Sequence, residues 1–313
     1  MLSRKYLLNI EATSHCPARC SMCPRWQIDR FGFLEVETLE RVLSQASPDR
    51  IWEIDLAGRG EPTIHPRFPL LAGMLGTRGI PAAVVTTGVA LEGKVLEASA
   101  RHLDRIRLSV SAFDPAVFAR IHVGLSYRRI WKNIARLGSE AAGKTIIHLT
   151  GGPAIYDSLP RTVEHLRSLG FRDLRLLPLW NRGGGLASRI DNRRRKSLMD
   201  ALALTPFEDA YLGMDKDRFH ERAAAMKESN PLYCPVGESG LSVTFEGRIL
   251  GCFQDFGCTS PLGSVFSTSL EKAYQARESR LGRMRICRGC DAPNVAMSGE
   301  GQVGGDSGKP CGP

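Results

Sequence analysis

Short apolar runs alternating with longer stretches of three-and-four spacing organise the first two thirds of the chain. The runs 5–11, 51–57, 82–87, 105–111, 144–150 and 173–179 are short and alternate in character, so each predicts a β-strand. Between them, 36–46, 92–100, 127–137 and 159–169 carry apolar residues on one helical face. This order argues for a parallel sheet, and right-handed crossovers curve six such units into an α/β fold, a TIM-like partial (βα)6 barrel. In parallel architectures of this kind, chemistry gathers on the loops at the carboxyl ends of the strands. After Asn181-Arg182-Gly183 the pattern changes, passing through a basic loop at Arg193, Arg194, Arg195 and Lys196 and a charged helical stretch at 216–228. A hairpin follows, with strands 241–245 and 248–252 joined at Glu246-Gly247, then an amphipathic helix near 270–277. The expected division is a barrel over 1–200, a second unit over 201–298 and a Gly/Ser-rich tail over 299–313 with too little to bury for folding.

The 313 residues, 42% of them hydrophobic, suffice for one large core and a smaller appended unit. No secretory h-region opens the sequence, and no apolar run approaches the roughly 20 residues of a membrane span. A cytoplasmic protein with no membrane partner is the expectation. The net charge of +9 raises the question of nucleic acid. No nucleic-acid motif accompanies the basic run, which reads as a solvated surface, so no such partner is expected.

Nine cysteines in a reducing compartment point to metal or redox chemistry instead of disulfides. Cys16, Cys20 and Cys23 stand in C-x3-C-x2-C spacing directly after the first strand. Three thiolates on one loop can hold three irons of a cubane and leave the fourth open to an outside ligand. A zinc site would more often pair C-x2-C halves and close all four positions. Gly58-Arg59-Gly60-Glu61-Pro62 ends the second strand, Thr86-Thr87-Gly88 the third and Ser109-Val110-Ser111 the fourth.

Taken together in this order, these segments resemble the radical S-adenosylmethionine (SAM) superfamily. The resemblance implies that SAM chelates the unique iron of a [4Fe–4S] cluster held by Cys16, Cys20 and Cys23. An electron then cleaves its sulfonium, and the 5′-deoxyadenosyl radical removes a hydrogen atom from substrate. It further implies SAM contacts or their support from Met22, Gly58, Gly60, Glu61, Thr87 and Ser111. Arg182 is implied at the cavity mouth, facing a SAM or substrate carboxylate. Arg59 departs from the family's GGEP pattern.

Later cysteines form a second set. Cys234 precedes Gly247 by twelve intervening residues, Cys252 follows it after four, and Cys287 and Cys290 form C-x2-C. This resembles the SPASM and twitch domains of radical SAM enzymes, a hairpin plus helix that binds an auxiliary cluster. It implies a second, closed [4Fe–4S] site; a structural zinc site with four cysteine ligands would use the same residues. The family also implies an external electron donor such as flavodoxin or ferredoxin.

Cys258 and Cys311 are left over, the latter in the Gly-rich tail. A thiol S–H is weaker than most substrate C–H bonds, so Cys258 can return a hydrogen atom to a carbon radical, as an epimerase requires. The compact organisation resembles the aminoglycoside-pathway members, which include neomycin-type epimerases and a 2-deoxy-scyllo-inosamine dehydrogenase. A small-molecule aminoglycoside or aminocyclitol is thus the expected substrate, with Glu11, Asp55, Glu238 and Asp255 as candidate contacts to its ammonium groups. Oxidation would need a base, for which Asp255 is the candidate. A peptide epimerase or maturase, and an iron–sulfur carrier without turnover, are the remaining readings.

Overall fold

The computed structural model of the chain describes residues 5–177, 192–205, 240–280 and 283–289. Arg182, Cys234, Glu238, Cys290, Cys311, the stretch 216–228 and the tail 299–313 lie outside the described residues. Six parallel strands follow the predicted runs closely: β1 (Tyr6–Ile10), β2 (Ile51–Leu56), β3 (Ala82–Thr86), β4 (Arg105–Val110), β5 (Thr145–Leu149) and β6 (Asp173–Leu176). Each pairs with the next in chain order. The helices α1 (Val36–Leu43), α2 (Phe68–Gly76), α3 (Gly93–His102), α4 (Pro115–Ile121), α5 (Tyr127–Ala141), α6 (Leu159–Ser168) and α7 (Asn192–Ala201) complete the βα units.

Alternation along the strands separates two environments. Leu8, Ile10, Ile54, Leu56, Leu108 and Leu149 join the apolar core with the helices. The positions between them, among them Asn9, Asp55, Arg107, Ser109, His148 and Arg175, are polar. Arg107 bonds to both Glu53 and Asp55 across the sheet. Desolvation still pushes the Asp55 carboxyl up to about 6, against the attraction of Arg107. Asp55, offered above as a substrate contact, is therefore committed to an interior ion pair and does not line the pocket described below.

Four elements depart from the sequence pattern. Helix α2 is apolar nearly all round, so no polar stripe betrays its period. Helix α4 is short and starts from local chemistry, Pro115 at its first turn and Asp114 accepting from the Val117 N–H. The basic run expected as a loop forms α7, since Arg and Lys are good helix formers. Leu198 and Met199 of that helix pack on the core, and Arg195 donates to the Leu176 carbonyl. Finally, β9 (Pro261–Ser264) is an edge strand with Pro at its first position, where no ladder donor is needed.

The hairpin of β7 (Gly240–Val243) and β8 (Arg248–Leu250) extends the barrel's own sheet. Strand β7 pairs parallel with β1, giving the order β6-β5-β4-β3-β2-β1-β7-β8-β9. The approach is close: a Cβ on Gly240 would stand 2.3 Å from the Leu7 carbonyl oxygen. The helix Leu270–Glu278 locks the extension down, with Tyr274 stacked on Tyr6 at 4.3 Å and Arg277 donating to the Gly251 carbonyl at 2.8 Å. Among the described residues no helix is long and apolar enough to cross a membrane.

Candidate active site

The loop bearing Cys16, Cys20 and Cys23 leaves the end of β1 and is held on three sides by main-chain bonds. Ser14 N–H donates to the Gly32 carbonyl, Arg19 N–H to that of Val123 and Ser21 N–H to that of Ile121. On the third side Glu61 N–H donates to the His15 carbonyl at 2.9 Å. There Gly60 is a steric requirement, because a Cβ would fall 2.1 Å from the Thr13 carbonyl oxygen. The family resemblance implies a SAM contact or its support at this glycine; its own neighbour is the cysteine loop. Gly58, at φ +146°, has a left-handed conformation in which a side chain would also press on Glu11.

All three cysteines line one pocket, together with Met22 and Arg25. Burial pushes the Cys16 thiol up to about 11. Burial and the neighbouring Cys23 and Cys16 push Cys20 up to about 12. Three soft donors that repel one another as thiolates call for a polycation between them, and this donor set fits an iron–sulfur cluster. Among the described residues no three His, Cys, Asp or Glu side chains could hold a single metal ion. A cubane needs no such convergence, since each thiolate meets a different iron.

Glu61 lines the same pocket as the most heavily bonded carboxylate of the site. It accepts from Thr63 N–H and hydroxyl, from the Thr86 hydroxyl, and from Thr87 N–H and hydroxyl. Its geometry is that of a strut joining the loop after β2 to the end of β3, with Thr87 placed on the wall. Ser111 is not on that wall. It is fully buried, its hydroxyl has no partner among the described residues, and it is Ser109 that lines the pocket. Strand β4 ends at Val110, so the inward position falls one alternation earlier than expected.

Thr150, Gly151 and His122 also line the pocket without having been singled out. Thr150-Gly151 ends β5 with the same strand-then-glycine signal that marks Gly58 and Gly88. His122 follows α4, an element the pattern missed. Burial drives its imidazole down to about 4.

Arg59 closes the pocket on the side of the hairpin. Its Nε and Nη2 donate to the Glu11 carboxylate at 2.8 and 2.7 Å, and its Nη1 to the Phe256 carbonyl and the Cys258 Sγ, both at 3.2 Å. Glu11 accepts in addition from Phe245 N–H. As a buried partner of Arg59, Glu11 is thus not free to meet a substrate. Asp255 is likewise consumed, accepting from Thr259 N–H and hydroxyl and from Ser260 N–H at 2.9 Å each. Cys258 is half-buried, has a left-handed φ of +50°, and its thiol is pushed up by burial against the opposing effect of Arg59.

Of the second cysteine set, Cys252 follows β8 and accepts from Gln254 N–H, while Cys287 lies in the turn Arg285–Gly289. Their segments meet: a Cβ on Gly251 would stand 3.0 Å from the Met284 sulfur.

The family model of the radical SAM superfamily matches residues 10–166, half of the chain. The chain belongs to the radical SAM superfamily. Membership brings SAM and a [4Fe–4S] cluster as cofactors and makes the protein an enzyme. This radical SAM enzyme is similar to the tungsten-containing aldehyde ferredoxin oxidoreductase cofactor-modifying protein of Pyrococcus furiosus, 28% identical over 188 residues. That match covers 56% of this chain and 52% of the relative, so the chain spans about half of that relative's length. Among solved structures, BtrN in complex with AdoMet and 2-DOIA is 16% identical with a TM-score of 0.59, over 93% of this chain and 94% of that one. SuiB of Streptococcus suis bound to precursor peptide SuiA is 15% identical with a TM-score of 0.67, over 87% of this chain and 65% of that one. At these identities the likeness is one of fold.

Proposed function

We propose that this radical SAM enzyme is an epimerase that removes a hydrogen atom from one face of a substrate carbon and receives its replacement from the Cys258 thiol on the other. SAM and the cluster, bound by Cys16, Cys20 and Cys23, supply the 5′-deoxyadenosyl radical that abstracts the first hydrogen. The observation that carries the reading is the 3.2 Å contact between Cys258 Sγ and Arg59 Nη1: Cys258 does not itself line the pocket of the three cysteines, but Arg59 does. Burial holds this sulfur as S–H, the form that can give up a hydrogen atom. Donation converts the thiol to a thiyl radical, which one electron and one solvent proton restore. A second cluster at Cys234, Cys252, Cys287 and Cys290 would relay that electron from a flavodoxin- or ferredoxin-type donor.

Oxidation of an aminocyclitol alcohol is disfavoured by Asp255, whose carboxylate already accepts three hydrogen bonds. An aminoglycoside remains the first substrate class to test, on the strength of the resemblance to that pathway. Its acidic contacts are not Glu11, Asp55 or Asp255, which serve internal partners.

Enzyme, reductant, SAM and a panel of aminoglycosides in deuterated water test the reading. One solvent deuterium at an inverted carbon is expected, whereas a loss of two hydrogens would indicate oxidation. Cys258→Ala should still form 5′-deoxyadenosine and yield no epimer; undiminished epimer would remove Cys258 from the mechanism.

A further inference from the structure

We infer that His122 donates a hydrogen bond to the Cys20 sulfur and thereby sets the reduction potential of the SAM-binding cluster, an inference that rests on reading Cys20 as a cluster ligand. His122 stands at the C-terminal end of α4, is 2% exposed and lines the pocket. Its Nδ1 lies 3.3 Å from Cys20 Sγ, within reach for a sulfur acceptor. Its Nε2 is enclosed and has no hydrogen-bond partner among the described residues.

Two tautomers are open to such a ring. One leaves a buried N–H orphaned at Nε2 and the other only a lone pair. Buried orphan donors are the rarer of the two, which favours the proton on Nδ1, facing the sulfur. Cluster binding strengthens the choice: a thiolate on iron has no proton to give and can only accept, so the imidazole must be the donor.

The contact is set by backbone, not by a flexible side chain. The turn after α4 receives the cysteine loop directly, with Arg19 N–H donating to the Val123 carbonyl at 2.7 Å and Ser21 N–H to the Ile121 carbonyl at 2.9 Å. Gly124, at φ +90°, packs against the same loop, where a Cβ would stand 2.8 Å from the Pro17 carbonyl oxygen. Phe118 packs on the imidazole at 4.9 Å between ring centroids. Cys20 and His122 are therefore held at fixed separation from opposite sides of a main-chain seam.

Hydrogen bonds to cluster sulfurs raise the reduction potential, because the reduced state places more negative charge on sulfur and gains more from the donor. The test is the midpoint potential of the SAM-responsive cluster in reconstituted full-length wild type, His122→Phe and His122→Asn. Phe keeps a ring without a donor, whereas the Asn amide can place an N–H near the site of Nδ1. The expected result is a more negative midpoint in His122→Phe and a return towards wild type in His122→Asn, at equal iron content. Equal potentials in all three would overturn the inference. If the variants fail to hold iron, pulsed EPR of 15N-histidine-labelled wild type decides: a nitrogen coupled to the reduced cluster supports the contact, and none refutes it. Absence of any SAM-responsive cluster in wild type would instead overturn the ligand reading and this inference together.

Discussion

The two cysteine-bearing regions are secured by different means. The amino-terminal loop is tied to its surroundings by main-chain bonds from Ser14, Arg19, Ser21 and Glu61, and by a glycine where no side chain fits. The Cys258 loop has main-chain bonds of its own, such as Cys258 N–H to the Asp255 carbonyl at 3.1 Å, but its thiol and the Phe256 carbonyl share one guanidinium, that of Arg59, which also neutralises Glu11. Backbone ties tolerate side-chain change; a buried charge pair does not. The cluster loop should thus be robust to most substitutions outside its glycines and ligands, and the Cys258 loop sensitive to a single residue.

The sharpest way to break this contrast is Arg59→Met. Leaving the Glu11 carboxylate buried without its cation is expected to cost about 3–5 kcal/mol in chemical denaturation. It should also free Cys258, seen as faster alkylation of the Cys258 peptide in mass spectrometry. An unchanged alkylation rate would show that the thiol is placed by something else.

Gly60→Ala probes the backbone-built side. Its methyl would fall 2.1 Å from the Thr13 carbonyl oxygen, so the two loops must part. Overpacking of this kind costs about 1–3 kcal/mol, and iron content per chain should fall with it. Full iron loading at wild-type stability would mean that the seam is not rigid.

A smaller effect separates the barrel interior from both. Burial, then Arg107 and Arg175, push His148 down to about 3. The unfolded chain therefore protonates this group below about pH 6.5 while the fold keeps it neutral, and stability present above that pH is lost as pH falls. His148→Gln should flatten the slope below pH 6.5 by up to about 1.4 kcal/mol per unit. Parallel slopes in the two proteins would refute it.

How much of this is legible in the sequence depends on the range of the interactions. The strands are readable because alternation is local, and the cysteine loop because its three thiols lie within eight residues of one another. Glu11, Asp55 and Asp255 mislead for one physical reason: an acid aimed at a pocket and an acid aimed at an internal donor have the same sequence appearance. The partner of Glu11, Arg59, arrives from the loop after the neighbouring strand, and that of Asp55, Arg107, from a strand two positions away in the sheet. Ser109 displaces Ser111 because β4 ends at Val110, so Ser111 lies beyond the alternation that would have kept the two on one face. His122 is invisible because α4 begins from a cap and a proline and carries no long apolar stripe.

The proposal that Cys16, Cys20 and Cys23 leave an iron corner open for SAM underlies all of the chemistry above. The most direct measurement is EPR of the anaerobically reconstituted, reduced protein with and without SAM, beside a Cys16→Ala, Cys20→Ala, Cys23→Ala triple variant. The predicted result is a [4Fe–4S] signal that SAM perturbs in the wild type and that is missing from the variant. A signal indifferent to SAM, or one that survives the triple replacement unchanged, would contradict it.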